Sequence, residues 1–152
     1  AERIILYGLG ASRFVAEDLA HKLLRVGRNA HIPADPHEAV AVSVLPTAST
    51  VAIGFSHSGS TLETVRFLET ARTSGATTIA VTSAKDSPLT RAADHPLFTE
   101  VRESTFRAGA MVSRIAQLTL VDCLFLGVAK RRYAETVDAL QRTGQATRAL
   151  RG

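Results

Sequence analysis

Six consecutive residues, Ser56, His57, Ser58, Gly59, Ser60 and Thr61, place four hydroxyls and one glycine between an apolar run and a helical pattern. The run at 51–55 reads as a strand, and Leu62, Val65, Leu68 and Ala71 repeat at nearly the helical period before Gly75 stops it. The loop therefore opens a helix. The first N–H groups of a helix lack intrahelical partners and its dipole favours negative charge, so these hydroxyls can complete an anion site. A small phosphate ester is the natural guest. The pattern lacks the lysine of a P-loop, which argues against a nucleoside triphosphate with magnesium. A second reading stays open: Ser60 or Thr61 could simply cap the helix, although one cap needs one hydroxyl and four are present.

Other chemistry-bearing residues are sparser. Gly8-Leu9-Gly10-Ala11-Ser12 follows the first apolar run, but Arg13 stands where a dinucleotide fingerprint needs its third glycine, so NAD is only a weak alternative. The two glycines fit a ligand loop or a bare turn equally well. His31 and His37 are separated by Pro33 and Pro36 with no cysteine or third histidine nearby, and no metal or cofactor is expected. His37 and Glu38 belong to the first turn of a short helix, where solvation explains them. An isomerase would need a base, for which Glu63, Glu100, Glu103, His37 and His57 are the candidates. Glu63 is already explained by the helix dipole, and no spacing among the others defines a catalytic constellation, so no catalytic residue is assigned. The single cysteine, Cys123, lies in an apolar run and reads as a small buried residue.

At 152 residues and 45% hydrophobic composition, one domain with an ordinary core suffices. The formal charge of +4 is spread along the chain, and the one cluster, Lys130, Arg131 and Arg132, suits a helix end. No run appears long enough to span a bilayer and the start is not a leader, so a soluble, cytoplasmic protein is expected. Strands are expected at 3–7, 29–32, 51–55, 77–82 and 96–98, and helices after Ser12, from Pro36, after Thr61 and after Pro88. Such βαβ units make parallel strands whose following loops gather at one sheet edge, bringing Gly10, Ser12, the 56–61 loop and Ser83 together. A long helix at 106–129 is apolar on more than one side, with room for the sheet on one face and another subunit on the other; a second helix spans 133–150.

Gly8-x-Gly10-x-Ser12, Ser56-His57-Ser58-Gly59-Ser60-Thr61, Ala80-Val81-Thr82-Ser83 and Ser87-Pro88-Leu89 together resemble the SIS (sugar isomerase) domain over nearly the whole chain. Glu103, Arg107, Ser113-Arg114-Ile115-Ala116-Gln117-Leu118 and Val121-Asp122 look most like the effector domain of RpiR-type transcription regulators. The resemblance implies a three-layer α-β-α sandwich on a five-stranded parallel sheet, flavodoxin-like in order. It also implies a phosphorylated sugar at the carboxyl edge. Ser56, His57, Ser58, Gly59 and Thr61 would cradle the phosphate with Ser60 and Gly10 in the same loops, Ser12 would add a hydroxyl, and Glu103 would face the sugar. Such domains usually pair, so a homodimer or larger assembly follows. DNA would be contacted only through an N-terminal helix-turn-helix domain absent from these residues. The alternative implied by the same family is an aldose–ketose phosphosugar isomerase.

Overall fold

The computed structural model describes residues 1–100 and 110–149. Five strands, β1 (Arg3–Gly8), β2 (Ala30–His31), β3 (Thr50–Phe55), β4 (Thr77–Thr82) and β5 (His95–Phe98), form one sheet in the order β2-β1-β3-β4-β5, all parallel. Their side chains are near-continuously apolar because helices cover both faces. The expected flavodoxin-like sandwich is what the chain adopts.

On one face lie α1 (Ala11–Arg25) and α5 (Met111–Arg131), enclosing Leu6, Ile53, Phe55 and Val81 with Val15, Leu19, Leu23 and Val121. On the other, α2 (Pro36–Ser43) and α3 (Leu62–Thr73) contribute Ala39, Val65, Phe67 and Leu68 against Ile5, Tyr7 and Ala52, beside the short α4 (Pro88–Arg91). Each such fully buried large side chain contributes about 2 kcal/mol, so the two clusters are the main source of stability. Local chemistry sets the helix starts: Asp35 caps α2 ahead of Pro36, and Ser87 caps α4 in a reciprocal box with Thr90 ahead of Pro88.

Arg13, the residue that breaks the dinucleotide fingerprint, has a structural task instead. Its guanidinium donates to the carbonyls of Pro33 (3.2 Å) and Ala34 (3.0 Å) and pairs with Glu17, tying α1 to the turn before α2. That turn is further held by Glu38, which accepts from Ala34 N–H and pairs with His31.

The C-terminal helices depart from expectation. In α5 only Ser113, Gln117 and Val121 are fully buried, while Met111, Val112, Ile115 and Leu126 are more than half exposed. Cys123, expected inside, is exposed, because α5 turns that side away from α1. By length and composition alone α5 would also pass for a membrane span, with a mean hydropathy of 1.5 over its most apolar window. The sequence expectation required an uninterrupted run, whereas the helix tolerates Arg114 and Asp122 within it. Asp122 reaches across to Lys22 of α1, which also pairs with Asp18; burial lowers the Lys22 pKa, but the two carboxylates outweigh it and hold it raised. The last helix, α6 (Tyr133–Ala149), is largely exposed, with Thr136 its one buried residue. The expected start of the long helix at Phe106, with Arg107, lies outside the described residues.

Candidate functional site

The strand order reverses direction between β1 and β3, and a crevice opens beyond the carboxyl ends of these two strands, where doubly wound sheets take ligands. A cleft of about 320 Å³ lies there, lined by Leu9, Ala11 and Ser12 from the β1–α1 turn, by Ser56, His57, Ser58 and Thr61 from the β3–α3 loop, and by Ser113, Arg114 and Gln117 from α5 with Ala110 just before it. Five of the nine expected site residues thus converge on one cavity. Gly10, Gly59 and Ser60 frame it without lining it, and Glu103 lies outside the described residues.

Two glycines shape the frame. Gly10 precedes α1 with φ 56° and ψ −128°, a conformation that only glycine adopts readily. Gly59 has φ 65°, and a Cβ there would fall 2.2 Å from the Ser87 hydroxyl and 2.5 Å from Ser87 Cβ. The loop is therefore pressed against the start of α4, to which Gly59 also gives its carbonyl, accepting from Leu89 N–H at 3.0 Å. The His57 carbonyl accepts from Thr82 Oγ1 (3.0 Å), Ser83 Oγ (2.8 Å) and Ser83 N–H (3.1 Å). Ser83 was expected at this edge and serves as a strut, holding the loop from behind.

The hydroxyls pair with one another and do not cap the helix. Thr61 occupies the N-cap position of α3, yet its side chain makes no cap bond; its Oγ1 lies 2.9 Å from Ser56 Oγ. Ser58 and Ser60 pair at 2.9 Å in the same way. The first turn of α3 is left without a side-chain cap, so its N–H groups have no side-chain partner and its N-cap, Thr61, lines the cleft. Ser56 is buried, Thr61 half-buried and Ser58 exposed, a gradient from the floor to the rim.

The third wall was not assigned from sequence. Ser113 and Gln117 are one helical turn apart, buried on the side of α5 that meets α1, and Ser12 Oγ donates to Gln117 Oε1 at 3.4 Å. A polar pair at i and i+4 in a mostly apolar helix is the signal that marks them. Arg114 adds the cleft's positive charge. Among the isomerase candidates, Glu63, His37 and Glu100 are exposed and do not line the cleft; Glu100 pairs with Lys85. His57 does line it, with a buried Nδ1 that has no partner among the described residues.

A doubly wound α/β domain with a polar, hydroxyl-lined cleft at its switch point is the class that this fold and site define. The chain belongs to the SIS domain family, which matches residues 1–127. An uncharacterized HTH-type transcriptional regulator of Caldanaerobacter subterraneus subsp. tengcongensis is 43% identical over 145 residues, 95% of this chain and 51% of that protein. The Vibrio vulnificus NanR protein, solved with ManNAc-6P, superposes with a TM-score of 0.91 at 29% identity, over 99% of this chain and 57% of NanR. The sugar isomerase domain of an RpiR transcription factor from Sphaerobacter thermophilus shares the fold, with a TM-score of 0.81 at 23% identity over 95% and 79% of the two chains. The chain thus spans about half the length of the curated relative it matches.

Proposed function

We propose that this chain is the effector-binding part of a transcription regulator and that its cleft holds a phosphorylated sugar. The observation that carries the reading is the uncapped start of α3, whose own N-cap hydroxyl is turned to Ser56 instead. A phosphate placed there accepts from the first-turn N–H groups and from Ser56, Ser58 and Thr61, with Arg114 reaching it from the α5 wall, while Ser12, whose proton goes to Gln117, accepts from a hydroxyl of the sugar. Gly59 and Gly10 set the loops, Ser60 steadies Ser58, and Glu103 is assigned to the sugar by the family resemblance alone. The regulator relatives, one of them solved with ManNAc-6P, support the same ligand class.

Residues 1–152 form a single phosphosugar-binding domain within a longer protein. A helix-turn-helix domain ahead of it contacts DNA, in the cytoplasm. The uncovered apolar side of α5 meets a second copy, making the domain a homodimer. A ligand that favours one arrangement of the paired domains then shifts the attached DNA readers by as much as its differential affinity allows, about 1–3 kcal/mol in typical allosteric systems. Catalysis does not fit as well. Of the bases among the described residues, His57 is the one that lines the cleft, and proton transfer between neighbouring carbons also needs an acid to polarise the carbonyl.

The test is calorimetry with hexose, pentose, amino-sugar and keto-deoxy acid phosphates, each beside its unphosphorylated parent, starting from N-acetylmannosamine 6-phosphate. At least one phosphorylated compound binds and its parent does not, and Ser58→Ala weakens it by about tenfold, the worth of one hydrogen bond to a charged group. Absence of binding by every compound at millimolar concentration overturns the reading.

A further inference from the structure

We infer that Gln117 reads the sugar: its side-chain amide donates to an oxygen of the ligand's carbon skeleton, and this contact, separate from the phosphate cradle, sets which phosphorylated sugar the cleft accepts. The inference rests on the phosphosugar reading above. Gln117 is only 1% exposed, on the helix whose other fully buried side chains are Ser113 and Val121. Its Oε1 is taken by the Ser12 hydroxyl, while its Nε2 is buried without an acceptor among the described residues. A buried donor without a partner costs about 1–3 kcal/mol, so packing alone would favour a leucine or methionine here.

Placement decides what the spare donor is for. Gln117 stands on the α5 wall, across the cleft from the β3–α3 loop that supplies the cradle. Ser113, one turn earlier, has already given its hydroxyl to the Ala110 carbonyl at 3.0 Å. The other unpaired buried polar atom of this cleft, His57 Nδ1, lies on the cradle side. A ligand with phosphate on the cradle therefore extends its carbon chain toward Gln117, and hydroxyl, ring or carbonyl oxygens of a sugar all accept from an amide N–H. Shielding from bulk water makes the contact selective, because a ligand lacking the oxygen leaves the donor unpaired at full cost. Ser12 holds the amide by its other end, fixing its direction before the ligand arrives.

The test titrates the wild-type protein and Gln117→Met with inorganic phosphate, glucose 6-phosphate, mannose 6-phosphate and N-acetylmannosamine 6-phosphate. In the wild type at least one hexose phosphate binds more tightly than inorganic phosphate. In Gln117→Met that hexose phosphate loses about tenfold in affinity while inorganic phosphate stays within about twofold, the latter also reporting an intact cradle. Gln117→Asn, which keeps an amide but withdraws it by one methylene, gives a smaller loss with the same preference and carries the test if Gln117→Met does not fold. Equal losses for both kinds of probe, or no loss, overturn the inference. Wild-type protein that binds inorganic phosphate but no hexose phosphate more tightly overturns this inference alone, whereas wild-type protein that binds neither overturns the phosphosugar reading beneath it.

Discussion

The β3–α3 loop and α5 break the rule of apolar inside and polar outside in opposite directions. The loop, the start of α1 and the α5 side facing them bury polar groups, Ser56, Ser12, Ser113 and Gln117, around a cleft. The far side of the same α5 leaves Met111, Val112, Ile115 and Leu126 in water. Unpaired buried polar atoms and uncovered apolar area are both costs, and each is recovered only on contact with something of matching chemistry. The first calls for a small polar ligand and the second for a broad apolar surface. Since α5 carries both, the helix is the element through which occupancy of the cleft and pairing of two copies would be linked.

The sharpest break of this comparison is at Gly59, because it removes the loop and leaves α5 alone. A Cβ there meets Ser87 at 2.2 Å in a left-handed conformation, so Gly59→Ala must move either the loop or the start of α4. We expect a loss of about 2–4 kcal/mol in chemical denaturation, the range of strained and overpacked sites, together with loss of phosphosugar binding. A variant that melts within 1 °C of wild type and keeps its affinity would show, in a thermal scan of roughly that precision, that the loop is not pressed as described.

The next break is on α5. Ile115 and Leu126 are 57% and 64% exposed, so changing both to lysine should leave the monomer's stability within about 0.5 kcal/mol. If a second copy covers this side, sedimentation or gel filtration shows a dimer for wild type and a monomer for Ile115→Lys/Leu126→Lys at the same concentration. An unchanged oligomeric state in the double variant removes the second copy from that surface.

The sequence made these two regions unequally legible. The strand-loop-helix logic that gave Ser12 and the 56–61 loop depends on neighbours in the chain, and the parallel order follows from handedness rules. Five of the expected site residues could therefore be named before any coordinates. The α5 wall depends on which side of a helix faces α1, and an apolar pattern running around more than one side does not encode that. Gln117 and the exposure of Cys123 were missed for this one reason. Arg13 is a related case: its absence of glycine was legible, but its bonds to Pro33 and Ala34 required the third dimension.

The smallest expected effect lies at the opposite, amino edge of the sheet, where polar groups satisfy one another without any ligand. Asp94 accepts from Thr78 N–H (2.9 Å) and Thr78 Oγ1 (2.8 Å) and pairs with Arg72 at 2.8 Å, tying the end of α3 to the starts of β4 and β5. The Thr78 backbone N–H, then its hydroxyl, hold the carboxyl below the ordinary aspartate range, with Arg72 assisting against a smaller cost of burial. Because the folded value is the lower one, the unfolded chain binds more protons between the two values and stability rises with pH there. The contribution is complete above the unfolded value and disappears as pH falls through the folded one. Asp94 is largely solvated, so Asp94→Ala should cost only about 1 kcal/mol at pH 7 and almost nothing near pH 2. Urea melts at the two pH values read this directly. An equal cost at both would mean that packing and not charge gives Asp94 its role, whereas a change in phosphosugar affinity would mean that the two edges of the sheet are coupled and that the contrast between self-satisfied and ligand-dependent polar groups does not hold.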